Sequence, residues 1–322
     1  EFVNYVLARV KALARVSKND YKVTLPKTLP PFFNTLRLIK KDDLQFLKKS
    51  KEQIFVGNIR SGSKVIADAE VWLNAEDIFS HHILIPATTG RGKSNLVKTI
   101  LWHLLDYNKV GVLVLDAHNE YYGVNSAGLK DHSNSRQNLV FYTPVNPPAG
   151  SNRLTVNLQS IRPEHFEGII ELPEAQHQVL RNIHRIHREN WITALFTTPI
   201  ESLTTQEFQE ISIFVVRRKL RLMMGLNIDE DNNLISNNEV FDATTKGLTT
   251  VNDIAKDVEA GKVVILDTSR LGDEAELLIG NIIASKLFEE YKDSKARGTL
   301  ERKPVACVVI EEAPRVIGED VL

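Results

Sequence analysis

The chain has 322 residues, with 40 Lys and Arg against 41 Asp and Glu, so its formal net charge is −1. This near-neutral balance excludes a global electrostatic argument for nucleic acid, and any DNA contact must come from local basic patches. The single cysteine excludes a disulfide or zinc framework within the chain. No apolar stretch reaches the roughly 18 residues of a membrane span and no signal peptide is visible, so we expect a cytoplasmic protein.

Residues 1–75 differ from the rest of the chain and predict a small β-rich module, part of a barrel. Residues 21–25 have a strand pattern, and two longer candidates at 51–59 and 64–73 flank a Gly-Ser turn. The sequence begins with Glu rather than Met and stops soon after an acid-bearing strand, and we expect that both ends are truncated.

A glycine-bearing turn lies between an apolar run and a helical pattern. Residues 83–94 read Ile-Leu-Ile-Pro-Ala-Thr-Thr-Gly-Arg-Gly-Lys-Ser. They match three of the four specified positions of the phosphate-loop pattern G-x-x-x-x-G-K-[ST], with Ala87 in place of the first glycine. We expect a short buried strand over 82–85 and a helix from about 94 to 105.

Each part of this loop has a mechanical role in binding a nucleotide. Gly90 and Gly92 let successive backbone N–H groups turn toward phosphate oxygens, and the following helix adds its positive end. Lys93 can reach the β- and γ-phosphates, and the Ser94 hydroxyl can bind Mg²⁺. The predicted ATP-binding residues are Thr89, Gly90, Arg91, Gly92, Lys93, Ser94 and Asn95.

After the loop, strand and helix patterns alternate, which predicts a doubly wound α/β core. The core is expected over 76–160 and 259–322, with a helical insertion over 161–258. The strands predicted at 110–115, 262–266 and 305–310 are followed by Asp116, Asp267 and Glu311, respectively. Because ligands bind at the carboxyl ends of such strands, the three acids predict one shared site.

Two adjacent acids follow the last strand in the segment Ile310-Glu311-Glu312-Ala313, the pattern of a second ATPase motif. We predict that Glu311 helps to hold Mg²⁺, and that Glu312 is the catalytic base that polarises the attacking water.

Asp116 opens the segment Asp-Ala-His-Asn-Glu-Tyr over 116–121 and is a third catalytic candidate. Asp116 could orient water or support the Mg²⁺ shell, or it could cap the following turn, and the sequence leaves both roles open. For Arg270 the sequence leaves two roles open, namely contact with a phosphate and a surface ion pair. The Arg-rich stretches at 181–188 and 217–221 are either solvated helix faces or DNA contacts.

With these motifs placed, the chain resembles the HerA family of hexameric DNA translocases, in the wider HerA–FtsK group. The segments that carry the resemblance are 88–95, 116–121 and 310–313. The order of a β-rich N-terminal module followed by a RecA-like core that helices interrupt also fits the family. The departures from the family pattern are Ala87 for Gly, Ala117 and Asn119 where Pro and Gly are frequent, and Glu311 for Asp.

The resemblance implies a RecA-like ATPase core, a homohexameric ring around DNA, ATP and Mg²⁺ as cofactors, and a NurA-type nuclease as partner in double-strand-break end resection. It also implies that an arginine finger and a polar sensor follow the acid pair. Two alternatives remain open, namely a conjugation or secretion motor that moves a protein, and a scaffold whose assembly is controlled by nucleotide.

Overall fold

The structure is a computed structural model. It describes residues 15–17, 23–35, 37, 52–61, 63–88, 90–204 and 210–311. The chain divides into two compact units, Glu1–Asn74 and Ala75–Leu322. The strands are β1 Arg15–Val16, β2 Val23–Thr24, β3 Gln53–Ser61, β4 Lys64–Asn74, β5 Val110–Asp116, β6 Leu139–Thr143, β7 Asn152–Arg153, β8 Val156–Asn157, β9 Leu226–Ile228, β10 Leu234–Ser236, β11 Phe241–Asp242, β12 Val263–Asp267 and β13 Val305–Ile310. The helices are α1 Ala75–Phe79, α2 Lys93–Leu104, α3 Ser135–Asn138, α4 Glu174–His187, α5 Trp191–Thr197, α6 Ile200–Leu203, α7 Glu210–Met224, α8 Thr250–Glu259 and α9 Asp273–Ala296.

The first unit contains the predicted hairpin. Strands β3 and β4 pair antiparallel, with two register shifts that mark bulges, and the rings of Phe55 and Trp72 pack 5.4 Å apart. The short strands β1 and β2 also pair antiparallel. The barrel stays a prediction, since much of the segment before residue 52 lies outside the described residues.

The second unit is built around a five-stranded parallel sheet in the order β13-β5-β12-β6-β7. Its helices and parallel strands form a mixed α/β fold that fits a RecA-like P-loop core, as predicted. In this sheet β12 pairs with both β5 and β6, and β13 pairs with the other edge of β5. Apart from β6 and β7, strands that are neighbours in the sheet therefore come from distant parts of the sequence.

Strand β5 lies at the centre of the core, and all seven of its residues are buried. Leu113 and Leu115 face the large core formed with helices α4 to α9, while Val112 and Val114 are buried on the opposite face. Burial on both faces explains why the strand reads as a continuous apolar run. Gly111 is required by close packing, because a Cβ there would lie 1.8 Å from the carbonyl oxygen of Val258 in α8.

The predicted helices over 173–189, 250–259 and 273–292 correspond to α4, α8 and α9, and the described part of the prediction over 205–224 is α7. The short helices α5 and α6 were not predicted from the sequence. The polar break predicted over 229–238 contains the strand β10, which pairs antiparallel with β9. Within the described part of the chain, no helix is both long and apolar enough to cross a membrane.

The prediction of a buried strand over 82–85 was wrong. Residues 82–88 have no regular secondary structure, and Ile83 and Leu84 are 45% and 57% exposed. A strand needs hydrogen bonds from a neighbour, and no described strand pairs with this segment. Apolar composition alone therefore did not make these residues part of the sheet.

Candidate functional site

The register of the parallel sheet brings three acids to the same edge. Asp267 at the end of β12 pairs directly with Asp116 at the end of β5. Ile310 pairs with Leu115, so Glu311 follows at the level of Asp116 on the other side. All three side chains are buried, which is unusual for carboxyl groups. The register therefore brings the three acids to one edge of the sheet, and their role as one shared site stays a prediction.

Asp267 accepts hydrogen bonds on both carboxylate oxygens. The Thr143 hydroxyl donates to Oδ2 at 2.8 Å, and the Ser269 hydroxyl and backbone N–H donate to Oδ1 at 2.6 and 3.2 Å. The Asn119 side-chain amide lies 3.4 Å from Oδ2. These donors come from three separate segments, so Asp267 ties β6, the turn after β5 and the turn after β12 together.

Asp116 also uses both of its oxygens within the protein. The backbone N–H groups of Glu120 and Tyr121 donate to Oδ1 at 3.0 Å and to Oδ2 at 3.1 Å. Burial raises the pKa of Asp116 to about 6, with smaller contributions from the charges of Glu311 and Asp267 and an opposing effect of the two backbone donors. This geometry favours the capping role for Asp116, and a direct catalytic role stays a prediction.

Glu311 is held by a tyrosine. The hydroxyl of Tyr121 donates to Oε1 of Glu311 at 2.7 Å, and both side chains are buried. Burial, followed by the hydrogen bond to Glu311, raises the pKa of the Tyr121 hydroxyl above its ordinary value, so it stays protonated and donates. His118 is half-exposed, and its Nε2 lies 4.0 Å from Oε2 of Glu311, beyond hydrogen-bond distance.

Among the residues that the structure describes, three buried oxygen atoms at this edge have no hydrogen-bond partner: Oε2 of Glu311, Oγ1 of Thr268 and Oδ1 of Asn119. Buried polar atoms are normally paired, so these atoms suit an additional ligand. Carboxylate, hydroxyl and carbonyl oxygens are the donors that Mg²⁺ prefers. No group of three or more His, Cys, Asp or Glu side chains in the described ranges could hold a metal by itself. The donors therefore fit a Mg²⁺ ion that takes most of its ligands from phosphates and water.

The phosphate loop has the backbone expected of it. Gly90 and Gly92 have φ of 77° and 88°, in the left-handed region that favours glycine, and no atom of the described residues lies within 4 Å of a Cβ at either position. Helix α2 begins at Lys93, and the N–H of Leu96 donates to the Gly92 carbonyl at 2.9 Å. Ala87 does not have a positive φ, so the alanine fits the loop without backbone strain.

The predicted site residues divide between these two regions. Lys93, Ser94 and Asn95 are the first residues of α2. Glu311 lies in the acid cluster, the group of buried acids Asp116, Asp267 and Glu311. Thr89 and Glu312 lie outside the described residues, so their roles stay predictions. Sequence reasoning assigned no role to Tyr121 or Thr143. The available signals were the position of Thr143 at the end of a buried strand, and for Tyr121 its place at the end of the 116–121 segment that carries the family resemblance.

Asn119 stands where the HerA family, which the chain resembles, often has glycine, and the backbone conformation of this residue explains why asparagine fits there. Its φ is 52°, a left-handed conformation that asparagine adopts more readily than most residues.

Some basic side chains of helices α4 and α7 bind other groups of the fold. Arg217 of α7 donates to the carbonyls of Leu195 and Thr198, and Lys219 donates to the carbonyl of Glu171. Arg181 of α4 forms an ion pair with Glu174 at 3.6 Å. Because these groups join helices or pair locally, they have structural roles, and DNA contacts by the other basic side chains of these helices stay a prediction. Arg270 is exposed after β12.

Comparison with known proteins gives one family match. The sequence model of the family described as "Helicase HerA, central domain" matches residues 54–287, more than half of the chain. The matched range contains the phosphate loop and two of the three acids.

Several curated proteins are similar to nearly the whole chain. A DNA double-strand break repair helicase HerA from Sulfurisphaera tokodaii is 25% identical over 98% of this chain and 58% of its own length. The protein of the same name from Saccharolobus solfataricus is 26% identical over 96% of this chain and 57% of its own length. A probable helicase from Methanocaldococcus jannaschii is 22% identical over 92% of this chain and 56% of its own length. The chain thus spans a little over half the length of these relatives.

Proposed function

The chain belongs to the HerA helicase family, and from that premise we propose that it hydrolyses ATP to move along DNA. The observation that carries the proposal is that one compact unit contains both a glycine loop at the start of α2 and buried acids at the ends of β5, β12 and β13. Phosphate binding and water activation require these two kinds of group.

Each part has a defined task in hydrolysis. The loop N–H groups and Lys93 bind the phosphates, and Ser94 and Glu311 provide oxygen ligands for the metal. When bound, Mg²⁺ would be held by Ser94 and Glu311 and would neutralise negative charge that develops on the phosphates during transfer. Glu312 orients and deprotonates the attacking water, which approaches the γ-phosphorus in line with the bond that breaks. Asp116 fixes the turn that carries Tyr121.

The substrate is proposed from the relatives, whose names describe helicases that repair DNA double-strand breaks. We propose that the working form is a homohexameric ring, that it acts in the cytoplasm, and that a NurA-type nuclease is its partner. The local basic groups that remain exposed, such as Arg218 and Arg221 on α7, provide surface charge for such contacts.

The substrate is tested by steady-state ATP hydrolysis with and without double-stranded DNA. We expect multiple turnovers per site and stimulation by DNA. Turnover that is indifferent to DNA would favour a motor that moves a protein, and a protein that binds ATP without repeated turnover would favour a scaffold.

The assembly is tested by native mass measurement of the protein alone, with DNA and with the nuclease. We expect a mass of six copies in at least the nucleotide-bound or DNA-bound sample. A monomer under all three conditions would contradict the ring and with it the translocase proposal.

A further inference from the structure

Tyr121 is fixed at its backbone as well as at its hydroxyl. Its N–H donates to Oδ2 of Asp116 at 3.1 Å, and its carbonyl accepts from the N–H of Leu129 at 3.0 Å. The side chain is 1% exposed, so burial also restricts the ring. The hydroxyl therefore reaches Oε1 of Glu311 from a fixed position, at 2.7 Å.

Glu311 needs such a constraint more than an aspartate would. A glutamate has one more rotatable bond than an aspartate, and holding it in a single conformation costs more conformational entropy. The bond from Tyr121 uses one carboxylate oxygen and selects one orientation. The other oxygen, Oε2, is buried and has no hydrogen-bond partner in the described part of the chain, although Glu311 as a whole is 7% exposed.

We propose that Tyr121 is a positioning residue that holds Glu311 with Oε2 directed to the Mg²⁺ of the nucleotide site. This inference rests on the proposed ATPase function and extends it to a residue that does not contact the nucleotide. Groups that orient a metal ligand by hydrogen bonding act on metal affinity, and their removal commonly weakens it by about 10- to 100-fold.

A purely structural role for the same hydrogen bond makes a different prediction. If Tyr121 only stabilised the turn after β5, its loss would lower the melting temperature and leave the metal requirement unchanged. If it positions Glu311, its loss raises the metal requirement, and excess metal restores turnover. The two roles are therefore separated by a metal titration combined with a melting curve.

The test compares Tyr121→Phe with Tyr122→Phe. Both variants remove one phenolic oxygen from neighbouring residues, and the ring of Tyr122 stacks on Phe141 with centroids 4.0 Å apart. Binding of Mn²⁺ to each protein with ADP is measured by electron paramagnetic resonance, and the Mg²⁺ concentration for half-maximal ATP hydrolysis is measured in parallel.

For Tyr121→Phe we expect Mn²⁺ binding weaker by about 10-fold, the lower end of the range for such groups, and a matching rise in the Mg²⁺ requirement. Excess Mg²⁺ should restore most of the turnover. Tyr122→Phe should match the wild type in both measurements. Wild-type Mn²⁺ affinity in folded Tyr121→Phe would overturn the inference.

Tyr121→Met provides a second variant in case Tyr121→Phe does not fold, because methionine is a flexible apolar side chain that fills irregular core spaces and has no O–H donor. We expect a similar loss of Mn²⁺ affinity, and wild-type affinity in this variant would overturn the inference. Failure of the proposed function is seen separately, because the wild-type protein would then not hydrolyse ATP at all. An active wild type with an unaffected Tyr121→Phe variant rejects the positioning role alone.

Discussion

The phosphate loop and the acid cluster are encoded in opposite ways. The loop is a contiguous and largely exposed segment, and its function depends on the backbone conformation of Gly90 and Gly92. The acid cluster is buried and consists of side chains that are separated by up to 195 positions, Asp116 to Glu311, in the sequence. A local motif thus specifies the first region, while sheet register specifies the second.

The largest expected effect is in the loop. Lys93→Ala should lower ATP hydrolysis by about 10²- to 10³-fold, because it removes a cation from the developing phosphate charge in a preorganised site. Steady-state phosphate release measures this, with native mass as the check that assembly is intact.

Lys98→Ala is the matched control, since it removes the same charge from the same helix α2. We expect hydrolysis by this variant within about twofold of wild type, because Lys98 is a half-buried charge that follows Lys93 by more than one turn of α2 and is not part of the glycine loop. Equal losses in the two variants would show that the effect is the charge of the helix and not contact with phosphate.

The sequence predicted much of both regions, for different reasons. The glycines and Lys93 could be identified because the chemistry depends on a local pattern. The common edge for Asp116, Asp267 and Glu311 could be inferred because parallel strands align their carboxyl ends. The Thr143 and Tyr121 contacts could not be predicted, because they depend on the order of strands in the sheet, which a single sequence does not reveal.

The strand expected over 82–85 shows the same limit. Its apolar residues satisfied the pattern for a buried strand, yet strand formation depends on a neighbour, and periodicity contains no information about neighbours. The apolar runs that became β5 and β12 each have a partner strand on both sides.

An intermediate effect is expected in the acid cluster. Thr143→Val is nearly isosteric and removes the hydroxyl that donates to Asp267 at 2.8 Å. Since the acceptor is a buried carboxylate, we expect the free energy of unfolding to fall by about 1.5–3 kcal/mol in urea denaturation.

The control for this effect is Thr197→Val, whose hydroxyl donates to the neutral carbonyl of Thr193 at 2.9 Å. A loss of about 1 kcal/mol or less is expected there. Equal losses in the two variants would mean that the Asp267 network is not stronger than an ordinary helix hydrogen bond.

The smallest effect is expected at the position where the loop departs from its pattern. Ala87→Gly restores the usual glycine, but Ala87 does not have a positive φ, so no backbone strain is relieved. ATP hydrolysis should stay within about twofold of wild type, with at most a small loss of stability from greater freedom of the unfolded chain. A large gain in turnover would show that the nucleotide-bound loop needs a conformation that alanine resists.

The central claim is that the loop and the acids act on one nucleotide, and Glu312→Gln tests it most directly. ATP binding and hydrolysis by this variant are measured on the same preparation. We predict wild-type ATP affinity with hydrolysis slower by about 10²- to 10⁴-fold, the usual contribution of a general base. Normal turnover in Glu312→Gln would contradict the claim, because the base would then lie away from the end of β13.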